Sequence, residues 1–369
     1  MEPFKHQLSH HNALIIAAAI QGAYPEFQLK RFSKHLKTEL EPLELKQRVE
    51  AIATRIENEL PTHPPTLFSI LIAALAPTSS APMGLQSFLV WPLTEIISRR
   101  GLHHHQAAMK ALEAMTSRFT GEFAIRTFIN QQPEATFKQL LVWATHECEH
   151  LRRLASEGSR PILPWGQKLP QLLSDHLPTL PILEKLYQDP SAYVRRSVAN
   201  HLNDISKSHP DRVIEILKRW QTQSPENPHF KSLSKQACRT LLKSGHIGAL
   251  SLQGFKSNPS LNISQVQLSH HSLSIGEVLH YQIVIHNPTT QDVAVMFDYT
   301  IHHRKANGST TPKVFKGRIK TLSANETWSI SGKHPFKPIT TRVYHSGIHF
   351  FEPKINGLTY PKIAFTLSL

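Results

Sequence analysis

The feature that most constrains the fold of this chain is a change in the spacing of its apolar residues near Leu250. Before that point apolar residues recur three or four positions apart, as in the stripe from Leu45 to Leu60. Such spacing places apolar side chains on one face of a helix. Prolines stand between these runs and favour helices of roughly ten to eighteen residues separated by turns. The first part of the chain is therefore predicted to be a series of short helices.

After about residue 264 the spacing becomes two, which is typical of strands with one buried face. Leu279, Tyr281, Ile283 and Ile285 alternate with their neighbours in this way. Turn signals follow at Asn287–Pro288, Asn307–Gly308, Ser323–Asn325 and Asn356–Gly357. Short strands at this spacing indicate an antiparallel β-sandwich.

These two patterns predict a mainly α fold followed by a C-terminal immunoglobulin-like antiparallel β-sandwich. The chain has no Cys…Trp…Cys pattern, so the likeness to immunoglobulins is one of architecture only. We place the helical domain at 1–252, a linker rich in glycine, serine, asparagine and proline at 253–263, and the sandwich at 264–369.

The charge of the chain limits its partners. Lysine plus arginine number 41 and aspartate plus glutamate 27, which gives a formal net charge of +14. This excess favours a polyanion or an anionic membrane surface. Only two cysteines are present, which excludes a disulfide scaffold and a structural cysteine-based zinc site. The longest early apolar run, Leu14–Ile20, is too short to span a bilayer, so we expect a soluble intracellular protein.

The helical part contains an internal repeat. Leu151–Glu157 aligns without gaps with Val194–Asn200, which lies 43 positions later, and Leu233–Gly245 is a weaker third copy. A period of about 40–47 residues is typical of HEAT units, whose helix pairs stack into a solenoid with an extended concave surface. The sequence therefore predicts a HEAT-like α-solenoid for residues 1–252.

Basic residues recur at one place in this repeat. They are Arg152, Arg153, Arg195, Arg196, Lys235 and Arg239. Equivalent positions of a solenoid form a row along one face, and a row of cations can follow the phosphates of a nucleic acid. An alternative stays open for Arg152 and Arg195, the first of each pair, which could instead bridge neighbouring repeats.

The segment His146–His150 matches a zinc hydrolase motif, in which two histidines one helical turn apart hold the metal and Glu147 is the base. The motif needs a continuous helix through both histidines. The repeat alignment instead predicts a helix start within this segment, and no third ligand follows at a suitable spacing. We therefore expect no metal here and keep the zinc hydrolase as a minor alternative.

A later segment is suited to binding a cationic nucleobase. Glu157, Arg160 and Trp165 lie within nine positions. Glu157 is expected on a helix that ends at Gly158, and a proline-stiffened loop after it presents Arg160 and Trp165. An indole offers its face to a base, especially to a cationic one. Packing of Trp165 in the core is the alternative.

Two further carboxylates are candidates for the same site. Glu122 is expected on a helix one repeat before Glu157, and Asp204 lies one repeat after it. Adjacent helix axes are about 10 Å apart, so side chains on neighbouring repeats can converge.

The segments that carry these candidates resemble one known family. They are Gly121–Arg126, Arg152–Pro161, Leu163–Gly166, Val194–Ser206, Lys235–Gly245, Asp298–Gly308 and Pro312–Phe315. Together they look like the AlkC branch of the HEAT-like DNA alkylation repair glycosylases, a superfamily that includes AlkD. The resemblance covers nearly the whole chain, and residues 118–210 are its most specific part.

The resemblance implies excision of N3-alkylated bases, such as 3-methyladenine and 3-methylcytosine, from DNA. It implies Glu122 and Glu157 as catalytic residues, to which we add Asp204. It places Trp165 near the lesion, and we add Phe123 as a second residue at the substrate base. The Arg residues, Arg160 among them, are expected on the DNA backbone.

The remaining expectations concern partners. We expect no cofactor, double-stranded DNA with alkylated bases as partner, contact between the basic β-sandwich and that DNA, no membrane and no obligate protein partner. The chain is expected to be a monomer in the bacterial cytoplasm, with the nucleoid. A non-catalytic HEAT scaffold that binds nucleic acid is the main alternative.

Overall fold

The change in apolar spacing corresponds to a change from helices to strands between Leu252 and Asn262. The computed structural model describes residues 3–340 and 342–369. Within them the α-helices are α1 His10–Ala23, α2 Leu29–Ser33, α3 Leu36–Leu40, α4 Leu45–Glu57, α5 Pro64–Ala73, α6 Trp91–Arg100, α7 His105–Thr116, α8 Ile125–Gln131, α9 Pro133–Trp143, α10 Glu149–Gly158, α11 Gln171–Ser174, α12 Leu180–Leu186, α13 Ala192–Ile205, α14 Pro210–Gln223, α15 Phe230–Ala237, α16 Arg239–Ser244 and α17 Ile247–Leu252. None of these helices is long and apolar enough to cross a membrane.

Proline and capping residues begin many of these helices. Proline stands in the first turn of α5, α6, α9, α12 and α14, where its missing N–H is not needed. In α4 a capping box between Glu44 and Gln47 satisfies the first amides. The stripe of α4 is buried through Val49, Ile52 and Ile56, as its spacing predicts.

The repeat corresponds to a pair of helices in contact. Its first copy lies in α10 and its second in α13, and the two helices pack against each other. The third copy does not form one helix, because α15 ends at Ala237 and α16 ends before Gly245. Gly245 has a φ of 84°, which is the left-handed helix end that glycine favours.

The C-terminal strands are β1 Asn262–Leu268, β2 Ser272–Ser274, β3 Val278–His286, β4 Val293–Arg304, β5 Thr310–Leu322, β6 Thr327–Pro335, β7 Gly347–Ile355, β8 Leu358–Thr359 and β9 Ile363–Ser368. They form one sheet of order β1-β3-β6 and a second of order β2-β9-β7-β4-β5, with β8 beside β7. The mainly α fold with a C-terminal β-sandwich is confirmed, and the four predicted turns lie between strands.

One pair of strands departs from the expected antiparallel arrangement. Strand β2 runs parallel to β9, whereas the other pairs are antiparallel. Hairpins force neighbouring strands to reverse direction, but β2 and β9 lie far apart in the chain and no tight turn joins them. The alternating residues Leu279, Ile283 and Ile285 are buried in the core of the sandwich, as predicted.

Packing divides the chain at a different point from secondary structure. The first compact unit ends at Ser208, and the second runs from His209 to the end. In the second unit the backbones of Gly245 and Gly357 touch, since a Cβ on Gly245 would lie 2.7 Å from the Gly357 carbonyl oxygen. Lys354 donates a hydrogen bond to the Lys243 carbonyl oxygen. The last four helices thus pack with the sandwich, and the boundaries 1–252, 253–263 and 264–369 remain a prediction from sequence.

Candidate active site

The two predicted glutamates lie at one cavity in the first unit. Glu157 is in the last turn of α10, whereas Glu122 lies in the turn that leads into α8. This corrects the expectation that Glu122 belongs to a helix. The Thr120 hydroxyl accepts a hydrogen bond from the Glu122 amide (3.3 Å) and donates one to the Glu122 carboxylate (2.9 Å). These two hydrogen bonds stabilise a turn at this position rather than a helix. Only 8% of Glu122 and 6% of Glu157 is exposed.

One guanidinium group, that of Arg153, joins the two carboxylates. Its Nη1 contacts Oε2 of Glu122 and donates to the Thr120 hydroxyl at 3.0 Å, and its Nη2 lies 3.5 Å from Oε1 of Glu157. The guanidinium carbon lies 5.1 Å from the centroid of the Tyr193 ring. Both glutamates are therefore within reach of the same cation.

A second guanidinium group lies deeper in the unit. Arg160 donates to Oε1 of Glu157 at 2.6 Å and to Oδ2 of Asp204 at 2.9 Å, and Lys207 lies 3.2 Å from the other oxygen of Asp204. Burial opposes the charge of Arg160, but the two carboxylates outweigh it and raise its pKa above the usual value. Arg160 is 5% exposed, so it is a counter-ion inside the protein rather than the backbone ligand we expected.

Two residues that the sequence did not single out complete the surroundings of Glu157. Ser197 on α13 donates a hydrogen bond to Oε2 of Glu157 at 2.7 Å. His201 lies with its Nδ1 2.9 Å from the Ser156 carbonyl oxygen, and burial lowers its pKa to about 3. The ring is neutral at pH 7, so Nδ1 donates this bond. The repeat alignment located the helix of both residues, but it did not indicate which face meets α10.

Arg126 shapes the loop that carries Arg160 and Trp165. It is fully buried and donates hydrogen bonds to four carbonyl oxygens between Gly158 and Gln167. Burial and the neighbouring Arg160 lower its pKa to about 10, which leaves it charged at neutral pH. A buried cation therefore fixes the backbone of this loop.

Aromatic side chains line the cavity of the two glutamates, which has a volume of about 380 Å³. Phe123 is one of them, and its ring stacks on Trp91 with centroids 4.8 Å apart. Phe88 and Phe119 also line the cavity and were missed from the sequence. The sequence signal for Phe88 is its position three residues before Trp91, but this spacing suits core packing equally well.

Trp165 lines the same cavity from the loop. It is 54% exposed, so the alternative of core packing is wrong. Its φ is 63°, a conformation that a bulky residue rarely adopts, and Lys46 donates a hydrogen bond to its carbonyl oxygen. Phe4 packs against its ring at 5.8 Å. An exposed indole held in an unfavourable backbone conformation points to a functional role.

The first arginine of each pair bonds to backbone in the same way. Arg152 donates to two carbonyl oxygens of the turn before α10, at 2.7 and 2.9 Å, and pairs with Asp189 at 2.6 Å. Arg195 donates to the carbonyl oxygens of Asp189 and Pro190 before α13. These contacts favour the structural alternative for both. Arg196 is exposed and has no ion pair among the described residues.

Lys235 and Arg239 belong to the second unit, unlike the other predicted basic residues. There they line a cavity of about 260 Å³ together with Lys316 and Arg318 of β5 and with Asp298 of β4. The sequence shows that the β-sandwich is basic, but no pattern in it singles out Lys316 or Arg318.

The segment His146–His150 does not form a helical pair of ligands. Helix α10 begins at Glu149, so His146 and Glu147 lie in the turn before it. The Cys148 amide donates a hydrogen bond to Nδ1 of His146 at 3.0 Å. In the part of the chain that the structure describes, no three metal-ligating side chains form a cluster.

This arrangement brings two buried carboxylates to the edge of an aromatic cavity. Charges in such a place interact more strongly than in water, because the surrounding dielectric is low. Aromatic faces bind planar rings and cations, while the carboxylates favour positive charge. The site is therefore suited to a flat, cationic ligand.

Comparisons with known proteins agree with this architecture. A family model described as "DNA alkylation repair enzyme" matches residues 119–241, and one described as "Uncharacterised protein YhaZ, C-terminal Ig-like domain" matches residues 262–369. The YhaZ protein of Bacillus subtilis (strain 168) is 39% identical over 352 residues, which are 95% of this chain and 93% of YhaZ. The structure of the Pseudomonas fluorescens alkylpurine DNA glycosylase AlkC, bound to DNA containing an abasic site analog, is similar with a TM-score of 0.93 at 30% identity over 100% of both chains.

Proposed function

The chain belongs to the AlkC-type family of DNA alkylation repair enzymes, and we propose that it is a DNA glycosylase. The proposed reaction is hydrolysis of the N-glycosidic bond of cationic N3-alkylated bases, such as 3-methyladenine and 3-methylcytosine. The substrate is double-stranded DNA, and the process is base excision repair.

One observation carries this proposal. Glu122 and Glu157 hold a single cation, the guanidinium group of Arg153, between them at the edge of an aromatic cavity. A base alkylated at N3 is itself a planar cation. A pair of carboxylates that already binds one planar cation is a suitable place for another.

The proposed reaction does not require a general acid. A cationic base is already a good leaving group, so it needs no proton before the bond breaks. Positive charge then develops on the sugar, and a fixed negative group nearby contributes about 3–4 kcal/mol to its stabilisation. Paired carboxylates serve an oxocarbenium-like sugar in glycoside hydrolysis, and the same logic applies here. We assign this stabilisation, and the orientation of the attacking water, to Glu122 and Glu157.

The neighbouring residues take supporting roles in this proposal. Trp165 and Phe123 offer aromatic faces to the base. Asp204 holds Arg160, and Arg160 holds Glu157, so we assign positioning rather than chemistry to Asp204.

DNA contacts come from both units in this proposal. Arg196 is an exposed cation of the first unit, and Lys235, Arg239, Lys316 and Arg318 surround a cavity of the second. We assign these residues to backbone phosphates and the β-sandwich to DNA contact. Binding to a duplex across a salt series measures such contacts, because each neutralised phosphate contributes a slope of about −0.9 in log affinity against log salt.

The experiment that tests the function is release of free base from a methylated duplex, with and without EDTA. We expect release of N3-methylated bases that EDTA leaves unchanged, because the proposed chemistry uses carboxylates. The control is the same duplex without methylation, from which no base should be released.

Two other outcomes would overturn the proposal. Binding to DNA without any release of base would indicate the non-catalytic scaffold. Release that EDTA abolishes would indicate a metal enzyme, with His146 and His150 as the metal ligands. No contact in the described residues favours either alternative.

A further inference from the structure

The guanidinium group of Arg153 occupies the place that a cationic base would take beside Glu122 and Glu157. It contacts Oε2 of Glu122 and lies 3.5 Å from Oε1 of Glu157. The charge of both carboxylates is therefore already compensated in the protein alone. A second cation cannot gain the full attraction of these carboxylates while Arg153 stays.

Of the two guanidinium groups at Glu157, Arg153 is the one that can leave. Arg160 is buried and held on both sides by carboxylates, at 2.6 and 2.9 Å. The Arg153 side chain is more exposed, at 15%, and its distance to the Glu157 carboxylate is longer, at 3.5 Å. It also lies over the ring of Tyr193, which is 38% exposed. The ring gives the guanidinium group a surface along which it can move outward without losing all its contacts.

We propose that Arg153 is an internal counter-ion that fills the cation site of the free protein and moves to a DNA phosphate when a positive charge of the substrate, on the base or on the developing sugar, arrives at Glu122 and Glu157. The inference rests on the proposed function and names the residue that sets its selectivity for charge. A cationic base can replace Arg153, because it compensates the same two carboxylates. A neutral base cannot, because Glu122 would be left buried without its ion-pair partner, while Glu157 would keep only Arg160.

The test compares two duplexes that differ at one sugar. One carries a neutral tetrahydrofuran abasic analogue, and the other carries a cationic pyrrolidine analogue of the developing sugar charge. The readout is the ratio of the affinities for the cationic and the neutral duplex. In Arg153→Met the internal competitor is absent, so we expect this ratio to rise about tenfold or more over the wild type, by the Coulomb attraction of Glu122, which then has no ion pair among the described residues.

The second readout is the salt dependence of binding. If Arg153 ends on a phosphate, its loss reduces the slope of log affinity against log salt by about 0.9. An unchanged affinity ratio would overturn the competition. A raised ratio with an unchanged salt slope would overturn the transfer to phosphate.

Arg196→Met is the matched control, since Arg196 is the equivalent residue of the next repeat copy and is exposed. We expect this variant to weaken both duplexes equally and to leave the affinity ratio unchanged. If Arg153→Met does not fold, Arg153→Lys carries the test. A single ammonium group bridges two carboxylates less well, so the ratio should rise about two- to fivefold. A ratio equal to that of the wild type would contradict the inference.

The two failures can be told apart. A wild-type protein that releases no base and does not prefer the cationic duplex would refute the proposed function. A wild-type protein that releases base, with an affinity ratio that Arg153→Met leaves unchanged, would refute only the role of Arg153.

Discussion

The two copies of the repeat in α10 and α13 share a scaffold and differ where the site is. Arg152 and Arg195 occupy equivalent positions, and each donates hydrogen bonds to the carbonyl oxygens of the turn before its own helix. The second arginines differ, because Arg153 bridges two carboxylates and Arg196 is exposed. The position of Glu157 in the first copy is occupied by Asn200 in the second.

This difference indicates that the repeated residues stabilise the helices, whereas the residues that differ between the two copies form the site. Glu157 is buried with Arg160 on one side and Ser197 of α13 on the other. The second copy thus supplies a hydrogen bond to the carboxylate that only the first copy contains. A repeat pattern alone locates the frame of the site and not its chemistry.

The largest effect on stability is expected from Arg160→Met, which removes the guanidinium group that links Glu157 of α10 to Asp204 of α13. Glu157 and Asp204 would lose a shared, buried counter-ion. Breaking a buried ion pair on one side costs about 3–5 kcal/mol, because a charge stays buried without its partner. The measurement is the free energy of unfolding from a urea titration followed by helical circular dichroism.

Arg196→Met is the control for this variant as well. The side chain is exposed, so we expect a change within about 0.5 kcal/mol. Equal stability of Arg160→Met and the wild type would show that the link between Glu157 and Asp204 does not hold the site together.

The next effect is a loss of stability in mild acid through His201, which joins α13 to α10. Burial lowers its pKa to about 3 in the folded protein, whereas an unfolded histidine titrates near pH ~6.5. Below pH ~6.5 the unfolded chain binds a proton that the folded protein does not, so the free energy of unfolding falls by about 1.4 kcal/mol per pH unit. Between pH ~6.5 and ~5 the loss is about 2 kcal/mol.

The slope of stability against pH is the readout, because it does not depend on the stability at neutral pH. We expect a smaller slope in His201→Leu and an unchanged one in His103→Gln, whose side chain is exposed. Burial also lowers the pKa of His303 to about 3 and of His334 to about 4 in the sandwich, which should give the second unit the same sensitivity. Stability that does not change between pH ~7 and ~5 would contradict the burial of these rings.

The smallest effect is expected at Gly158, where the sequence predicts the end of a helix. Helix α10 does end there, with Gly158 as its last residue, and a Cβ on Gly158 would lie 2.6 Å from Cγ2 of Ile125. Glycine is needed for close approach to α8 rather than for a left-handed turn. Gly158→Ala should therefore lower the free energy of unfolding by about 1 kcal/mol, the low end for overpacking, since a side-chain methyl can shift.

Gly22→Ala is the matched control, because it lies in α1 and a Cβ there meets nothing within 4 Å. Alanine favours the helix, so this variant should gain about 0.5–1 kcal/mol. A Gly158→Ala variant that gains stability in the same way would show that α8 and α10 do not meet closely.

The sequence predicted the parts of the fold that follow from local patterns. The spacing of Leu279, Ile283 and Ile285 and the four turns of the sandwich are confirmed, as is the series of helices begun by prolines. The parallel pair of β2 and β9 was not predictable, because long-range pairing leaves no local pattern. The grouping of the last four helices with the sandwich rests on long-range contacts, such as the one between the backbones of Gly245 and Gly357, which sequence does not show.

The same division applies to the site. Residue types and repeat spacing singled out Glu122, Glu157 and Trp165. They did not indicate that Arg160 points inward or that Ser197 reaches Glu157, because both depend on which helix face meets the neighbour. The basic residues show this most clearly, since of Arg152, Arg153 and Arg196 only the last is exposed.

The measurement that tests the central claim most directly is the single-turnover rate of base release from methylated duplex DNA, with Glu157→Gln beside Glu147→Gln. Glu147 is the matched control, because it is exposed and would be the base of a zinc site. We expect Glu157→Gln to be about 100- to 1,000-fold slower than the wild type and Glu147→Gln to be unchanged. A Glu157→Gln variant as fast as the wild type, or loss of release only in Glu147→Gln, would contradict the assignment of the chemistry to the buried carboxylates.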